Sequence, residues 1–145
     1  MQMYNLEMLE YIGDVDHEYN KVETEINYIN VVCGMKIPGV EHMDLTKTIS
    51  KLDIKPTLTT ICGIEDGISL GTSIFGNKDF ACLNNGVIVT DKYYYNGEWY
   101  DRANGDKLGL DNIDDELKNQ LDYYITNMEE EITISNSIVL NNLLK

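Results

Sequence analysis

Phe80-Ala81-Cys82-Leu83-Asn84-Asn85-Gly86-Val87-Ile88-Val89-Thr90, followed by Asp91-Lys92 and then Tyr93-Tyr94-Tyr95-Asn96-Gly97-Glu98-Trp99-Tyr100, is the stretch that decides the fold. Asn85-Gly86 and Asn96-Gly97 each separate runs of β-branched, apolar or aromatic residues. A two-residue type I′ turn needs positive φ at both centres, which Asn and Gly tolerate, so each pair predicts a β-hairpin. Gly76-Asn77, between Ile74-Phe75 and Lys78-Asp79-Phe80, suits a type II′ turn in the same way. Together, residues 68–103 read as a run of antiparallel strands.

Working outward, strands are predicted over 57–63, 67–75, 78–84, 87–95 and 98–102. Short turns join them, so neighbours in sequence pair as a five-stranded antiparallel meander. Taking each Asn-Gly pair as the whole loop sets Tyr95 opposite Glu98, Tyr94 opposite Trp99 and Tyr93 opposite Tyr100. In the first hairpin it sets Leu83 opposite Ile88 and Cys82 opposite Val89. Counting by twos then places Phe80, Cys82, Val87, Val89, Tyr93, Tyr95 and Tyr100 on one face, and Ala81, Leu83, Ile88, Tyr94 and Trp99 on the other. Neither face is polar throughout, so one is expected under helices and the other partly covered or used for contact.

The flanks are helical in pattern. Residues 3–33 predict helices broken near Gly13, with Val15, Tyr19, Val22, Ile26, Ile29 and Cys33 on one face and Asp14 as N-cap. That stripe suits burial on the sheet, and a coiled-coil homodimer is its alternative use. Residues 34–43 form a linker containing Pro38-Gly39. Asp44 caps a short helix over Leu45, Ile49 and Leu52, which Pro56 closes. Asp111 or Asn112 caps a final helix through Ile113, Leu117, Leu121, Tyr124 and Met128. Glu129, Glu130 and Glu131 then fall at its last turn, where the helix dipole opposes them. An apolar tail over 132–145 docks back as strand or helix. The fold class is α+β: one domain of N-terminal helices, the meander, and a C-terminal helix packed on the sheet.

With 145 residues and 43% hydrophobic content, the chain can bury a real core and is not a disordered segment. Its charge is the anomaly: 25 acids against 11 bases leave −14. Such a balance repels phosphates and anionic membranes, so neither nucleic acid nor membrane is an expected direct partner, and a basic protein is. The acids are concentrated in the flanks. Residues 1–34 hold seven acids and one Lys, and residues 101–131 hold ten acids, two Lys and Arg102, while 35–100 are nearly balanced. Cys33, Cys62 and Cys82 are odd in number and widely spaced, which predicts free buried thiols in a reducing cytoplasm. The acidic, amphipathic start is unlike a signal peptide, so the expected location is cytoplasmic, the host cytoplasm for a phage-encoded protein.

No catalytic, cofactor or metal constellation holds together. Gly67-Ile68-Ser69-Leu70-Gly71 matches G-x-S-x-G, but Ser69 falls in a strand reading and both histidines, His17 and His42, precede it. Asp14, Asp16, His17 and Glu18 gather carboxylates and an imidazole, and capping with a favourable first turn accounts for them without a metal. The acids of 101–115 lack the ligand spacing of a calcium loop. Tyr93, Tyr95 and Tyr100 form a possible aromatic contact face, though stacking of bases would need more cations than Lys92 and Arg102. The expectation is therefore a non-enzyme that needs no cofactor: a small acidic inhibitor blocking a basic, nucleic-acid-handling target. Phage anti-defence proteins of the anti-CRISPR type, some acting as nucleic-acid mimics, share these properties. The contact residues proposed are Asp114, Asp115, Glu116, Asp122, Glu129, Glu130 and Glu131. The alternatives are an immunity protein neutralising a toxin enzyme, and a small-ligand or nucleotide-sequestering protein using the tyrosine face.

Overall fold

A computed structural model describes residues 20–31, 33–37, 39–41, 46–65, 67 and 69–141. It is α+β. Among the described residues helix α1 (Lys21–Ile29) comes first, then a 3-10 turn (Lys51–Asp53) leading into α2 (Ile54–Cys62). Strands β1 (Phe80–Cys82), β2 (Ile88–Thr90), β3 (Tyr93–Tyr95) and β4 (Trp99–Asp101) follow, and α3 (Asp115–Leu140) closes the order. The strands lie in sequence order and every neighbouring pair is antiparallel. No helix among the described residues is long and apolar enough to cross a membrane.

Among the described residues the sheet has four strands rather than five. The first predicted strand, 57–63, falls largely in α2. Its β-branched run is overridden by local bonds: Ser50 Oγ accepts from Leu52 N–H at 3.2 Å, and the Asp53 carboxylate accepts from Ser50 N–H at 2.7 Å. The Thr57 and Thr60 hydroxyls donate to the carbonyls of Asp53 and Pro56, four residues back, so they do not compete with the helix. Pro56 sits in the first turn of α2 instead of closing a segment, because no helical N–H is required of it there. The described residues of 67–75 are irregular. Gly71 is needed among them, since a Cβ would lie 2.1 Å from Leu52 O. That close approach accounts for one glycine of the G-x-S-x-G pattern without any chemistry.

The third difference is a turn. The predicted strand 87–95 is two strands joined at Asp91-Lys92, with Val89 opposite Tyr94. Thr90 Oγ1 closes this hairpin by accepting from Tyr93 N–H at 2.7 Å and Lys92 N–H at 3.2 Å. Arg102 holds it from outside, through its guanidinium to Thr90 O and its backbone N–H to Lys92 O.

Both Asn-Gly loops carry three residues, not two. Leu83 N–H donates to Val87 O and Gly86 N–H to Leu83 O, so the loop is Asn84-Asn85-Gly86, with Gly86 at φ +83°. Likewise Tyr95 pairs with Trp99 across Asn96-Gly97-Glu98. A turn closed by a left-handed glycine gives a bulged hairpin, and the extra residue shifts the register by one. A one-residue shift moves a strand's side chains to the other face. Phe80, Ile88 and Trp99 therefore share a face and form a buried core with Leu121, Tyr124 and Met128 of α3. Val89 and Tyr94 point the other way, onto Val22 and Ile26 of α1.

The flanking helices also differ in extent. Asn20 caps α1: Asn20 Oδ1 accepts from Glu23 N–H at 2.9 Å while Glu23 reaches back to Asn20 N–H. The Asp14 cap and the break at Gly13 lie outside the described residues, as do Asp44 and Leu45. Of the predicted apolar stripe, Val22 and Ile26 are buried, whereas Ile29 is 41% exposed and Cys33 lies beyond the helix end. At the other end, Asp114 caps α3 by accepting from Leu117 N–H at 2.8 Å, leaving Ile113 outside the helix. The helix then runs 26 residues to Leu140. Glu129, Glu130 and Glu131 thus lie in mid-helix, and the terminal dipole penalty expected for them does not arise.

Candidate functional site

The outward face of α3 gathers most of the predicted contact residues. Leu121, Tyr124 and Met128 are buried on the sheet, with Leu117, Ile125 and Ile132 packed beside them. A helix burying that stripe turns the opposite positions to solvent. Asp115, Asp122 and Glu129 occupy one line beside the buried stripe, seven residues and therefore about 10.5 Å apart along the axis. Glu116 and Glu130 lie further round, opposite the stripe, and all five are exposed. Asp114 is exposed too, but its carboxylate is engaged as the cap. Among the described residues none of these six carboxylates makes an ion pair. Lys118 is the single base within α3.

Glu131 stands apart from the others. It turns toward the sheet, where Lys78 Nζ lies 2.6 Å from its Oε1 and the Cys82 thiol donates to Oε2 at 2.6 Å. Lys78, only 10% exposed in its side chain, also lies 4.0 Å from Asp53 Oδ1 and over the Phe80 ring. Asp53 in turn accepts from Thr72 N–H at 2.8 Å. This network ties the turn before α2, strand β1 and α3 together. Burial, then the bond to Glu131 and its negative charge, pushes the Cys82 thiol up to about 12. A thiol held protonated in this way is a poor nucleophile. Cys33 and Cys62 are also free, but both are exposed rather than buried.

The three tyrosines do not form one platform. Tyr93 and Tyr95 are half-buried on the α3 side, with the Tyr95 ring 4.9 Å from Trp99. Tyr100 is on the opposite face, opposite Tyr94 in the ladder and half-buried against the α1 cluster. The Tyr94 hydroxyl donates to Glu25 at 2.7 Å, and burial together with that bond raises its pKa.

An open cleft of about 360 Å³ is lined by Glu23, Asp91, Lys92, Tyr93, Asp101 and Arg102, beside Ala103. Its polar groups mostly serve the fold. Asp91 accepts from Thr48 N–H, Asp101 from Ala103 N–H and Glu23 from Asn20 N–H, while Arg102 is bonded to Thr90 O. Among the described residues no three His, Cys, Asp or Glu side chains converge to hold a metal ion. His17 and His42 lie outside them, as do Asp14, Asp16 and Glu18.

The Lys78–Glu131–Cys82–Asp53 network was invisible to sequence reasoning, because its members are up to 78 positions apart and follow no shared period. The acidic row had a signal: Asp115, Asp122 and Glu129 recur every seven residues on a helix whose apolar stripe was already legible. The chain matches no protein-family model, and no curated protein matches it.

Proposed function

We propose that this protein is a small acidic binding protein that occupies a cationic surface on a nucleic-acid-handling partner and so inhibits it, as phage anti-defence proteins of the anti-CRISPR type do. The observation carrying this reading is the row Asp115–Asp122–Glu129 with Glu116 and Glu130. It lies on a helix anchored to the sheet, and no lysine among the described residues pairs with it. Glu131, part of the original set, belongs to the fold instead.

Charge density decides how literal any mimicry is. Duplex DNA carries about one charge per 1.7 Å of axis. The α3 row is several-fold sparser, so its role is complementarity and steering toward basic residues rather than a copy of a phosphate strand. The same chemistry suits an immunity protein bound to a basic toxin, and an adjacent toxin gene distinguishes that case from a phage one.

The test takes the partner recovered by affinity capture and measures its affinity by calorimetry from about 50 to 500 mM salt. Affinity should fall steeply with salt. The triple variant Asp115→Lys, Asp122→Lys, Glu129→Lys should keep its helical circular dichroism and lose binding. A salt-independent affinity would sink the proposal.

A further inference from the structure

Helix α2 is seated on the side that its sequence does not favour. Its buried residues are Pro56 and Thr57, the latter 1% exposed, its hydroxyl donating to Asp53 O and accepting from Ile74 N–H. Ile54 and Leu58 are instead 37% and 43% exposed, with Ile61 half-buried and Cys62 exposed beside them. At 100° per residue, Ile54, Leu58 and Ile61 share an arc about 60° wide, centred roughly 120° from the middle of the buried side. Spacings of four and three make the stripe by which a helix docks on an apolar surface. Unlike α1 and α3, α2 supplies no residue to either core cluster.

Charge and chain length say what belongs there. Lys55 borders the arc and Lys51 precedes it, both exposed, so the surface suits an acidic occupant with an apolar stripe. The nineteen residues before Asn20 have that character: five acids, no Lys or Arg, and Leu6, Leu9 and Ile12 at three-residue spacing with Glu7 and Glu10 off their line. They also begin in the right place. Asn20 Nδ2 donates to Arg102 O at 3.1 Å, and Arg102 N–H donates to Lys92 O at 2.9 Å. Thr48 N–H donates to Asp91 of that same turn at 3.1 Å, six residues before α2 starts. Residues 13–19, extended, reach about 23 Å from Asn20, enough to carry residues 3–12 past Thr48 onto α2.

We infer that residues 3–12 dock as an amphipathic helix along the Ile54–Leu58–Ile61 arc of α2, covering it within the same chain. The inference does not depend on the function proposed above. A second copy is a poor occupant, because chains at −14 repel each other and three side chains fall far short of the roughly 800 Å² per partner of a stable interface. A basic partner is turned away by Lys51 and Lys55. Docking of the acidic segment brings carboxylates toward the one stretch where lysines cluster, so the molecule presents a more uniformly anionic exterior.

Cys62, at the edge of the arc, reports on the docking by disulfide trapping in the full-length protein. Cys33→Ser removes the other exposed thiol among the described residues, while Cys82 stays protonated in its network. In a glutathione redox buffer, Leu9→Cys should pair with Cys62 at least tenfold faster than Glu7→Cys, which lies off the apolar line, as read by mass spectrometry of proteolytic fragments. Adding Ile54→Gln and Leu58→Gln should erase that preference. Both positions are exposed and Gln favours helix nearly as well as Leu, so circular dichroism should be unchanged. Leu110→Gln, exposed elsewhere, should leave the preference intact. Equal trapping rates, or a preference that survives the α2 variant, overturn the inference. A disulfide formed chiefly between two chains would give the arc to a second copy and overturn it as well.

Discussion

The two faces of the sheet are covered by helices of very different standing. On one side α3 contributes Leu121, Tyr124 and Met128 to a core with Phe80, Ile88 and Trp99, and Ile88 is wholly buried. On the other, nine-residue α1 contributes two buried side chains, Val22 and Ile26, against Val89 and Tyr94. Polar bonds compensate on the α1 side. Asn20 Nδ2 donates to Arg102 O, and Tyr94 and Asn96 both donate to Glu25. One face is fastened by apolar burial that scales with area, the other by a few directed bonds around a small core. The difference implies that α1 opens at a lower free energy than α3.

The largest effect expected is from Leu121→Ala, which removes a side chain 2% exposed and should cost 2–5 kcal/mol, with about 3 typical, in denaturant unfolding. Ile26→Ala should instead release α1 alone. Hydrogen exchange should then quicken over Lys21–Ile29 while β2 stays protected. Equal global losses from the two variants would erase the distinction between the faces. Next is Lys78→Met, which leaves the Glu131 and Asp53 carboxylates without their shared cation and should cost about 3 kcal/mol. Adding Glu131→Gln should recover part of that loss. An unchanged urea midpoint for the single variant would show that the network does not secure α3.

Asn20→Ala removes the cap of α1 and its bond to Arg102, and should cost about 1 kcal/mol, confined to that helix. The smallest effect concerns the thiols. Cys33 and Cys62 should react with a disulfide reagent in the native protein, and Cys82 only on unfolding. The Cys82 thiol ionises near 12 when folded and near 9 as a free group. The folded state therefore holds the proton more tightly, so the stability from this burial is complete below about pH 9 and is lost as pH rises toward 12. Tyr124 is likewise raised to about 12, by burial and its bond to Asp79, and loses its contribution between about 10 and 12. Cys82→Ser should flatten the alkaline fall in the urea midpoint without abolishing it.

The sequence carried the architecture further than the details. Apolar residues at Leu117, Leu121, Tyr124 and Met128 specified the helix over the sheet, because spacings of three and four are independent of tertiary partners. The Asn-Gly pairs located both bulged hairpins but not their length: whether one or two residues adopt positive φ depends on the strand geometry on either side. Asp91-Lys92 had no glycine or proline to mark it, since Thr90 supplies the turn's bonds from its side chain. The threonine-rich run in α2 read as strand because its helix is stabilised by Ser50, Asp53 and Thr72, a contact that crosses 19 positions. The acidic row was visible as residue type and period. The removal of Glu131 from it was not, because that depended on where Lys78 comes to rest.

The chain has one tryptophan, and it lies at the centre of the larger core, between Tyr95 and the α3 residue Tyr124. Its indole is 3% exposed and faces away from α1. The molecule thus contains a single optical label whose emission should redden when α3 lifts from the sheet and stay constant when α1 alone detaches. The two events can then be separated in a fluorimeter with no dye attached.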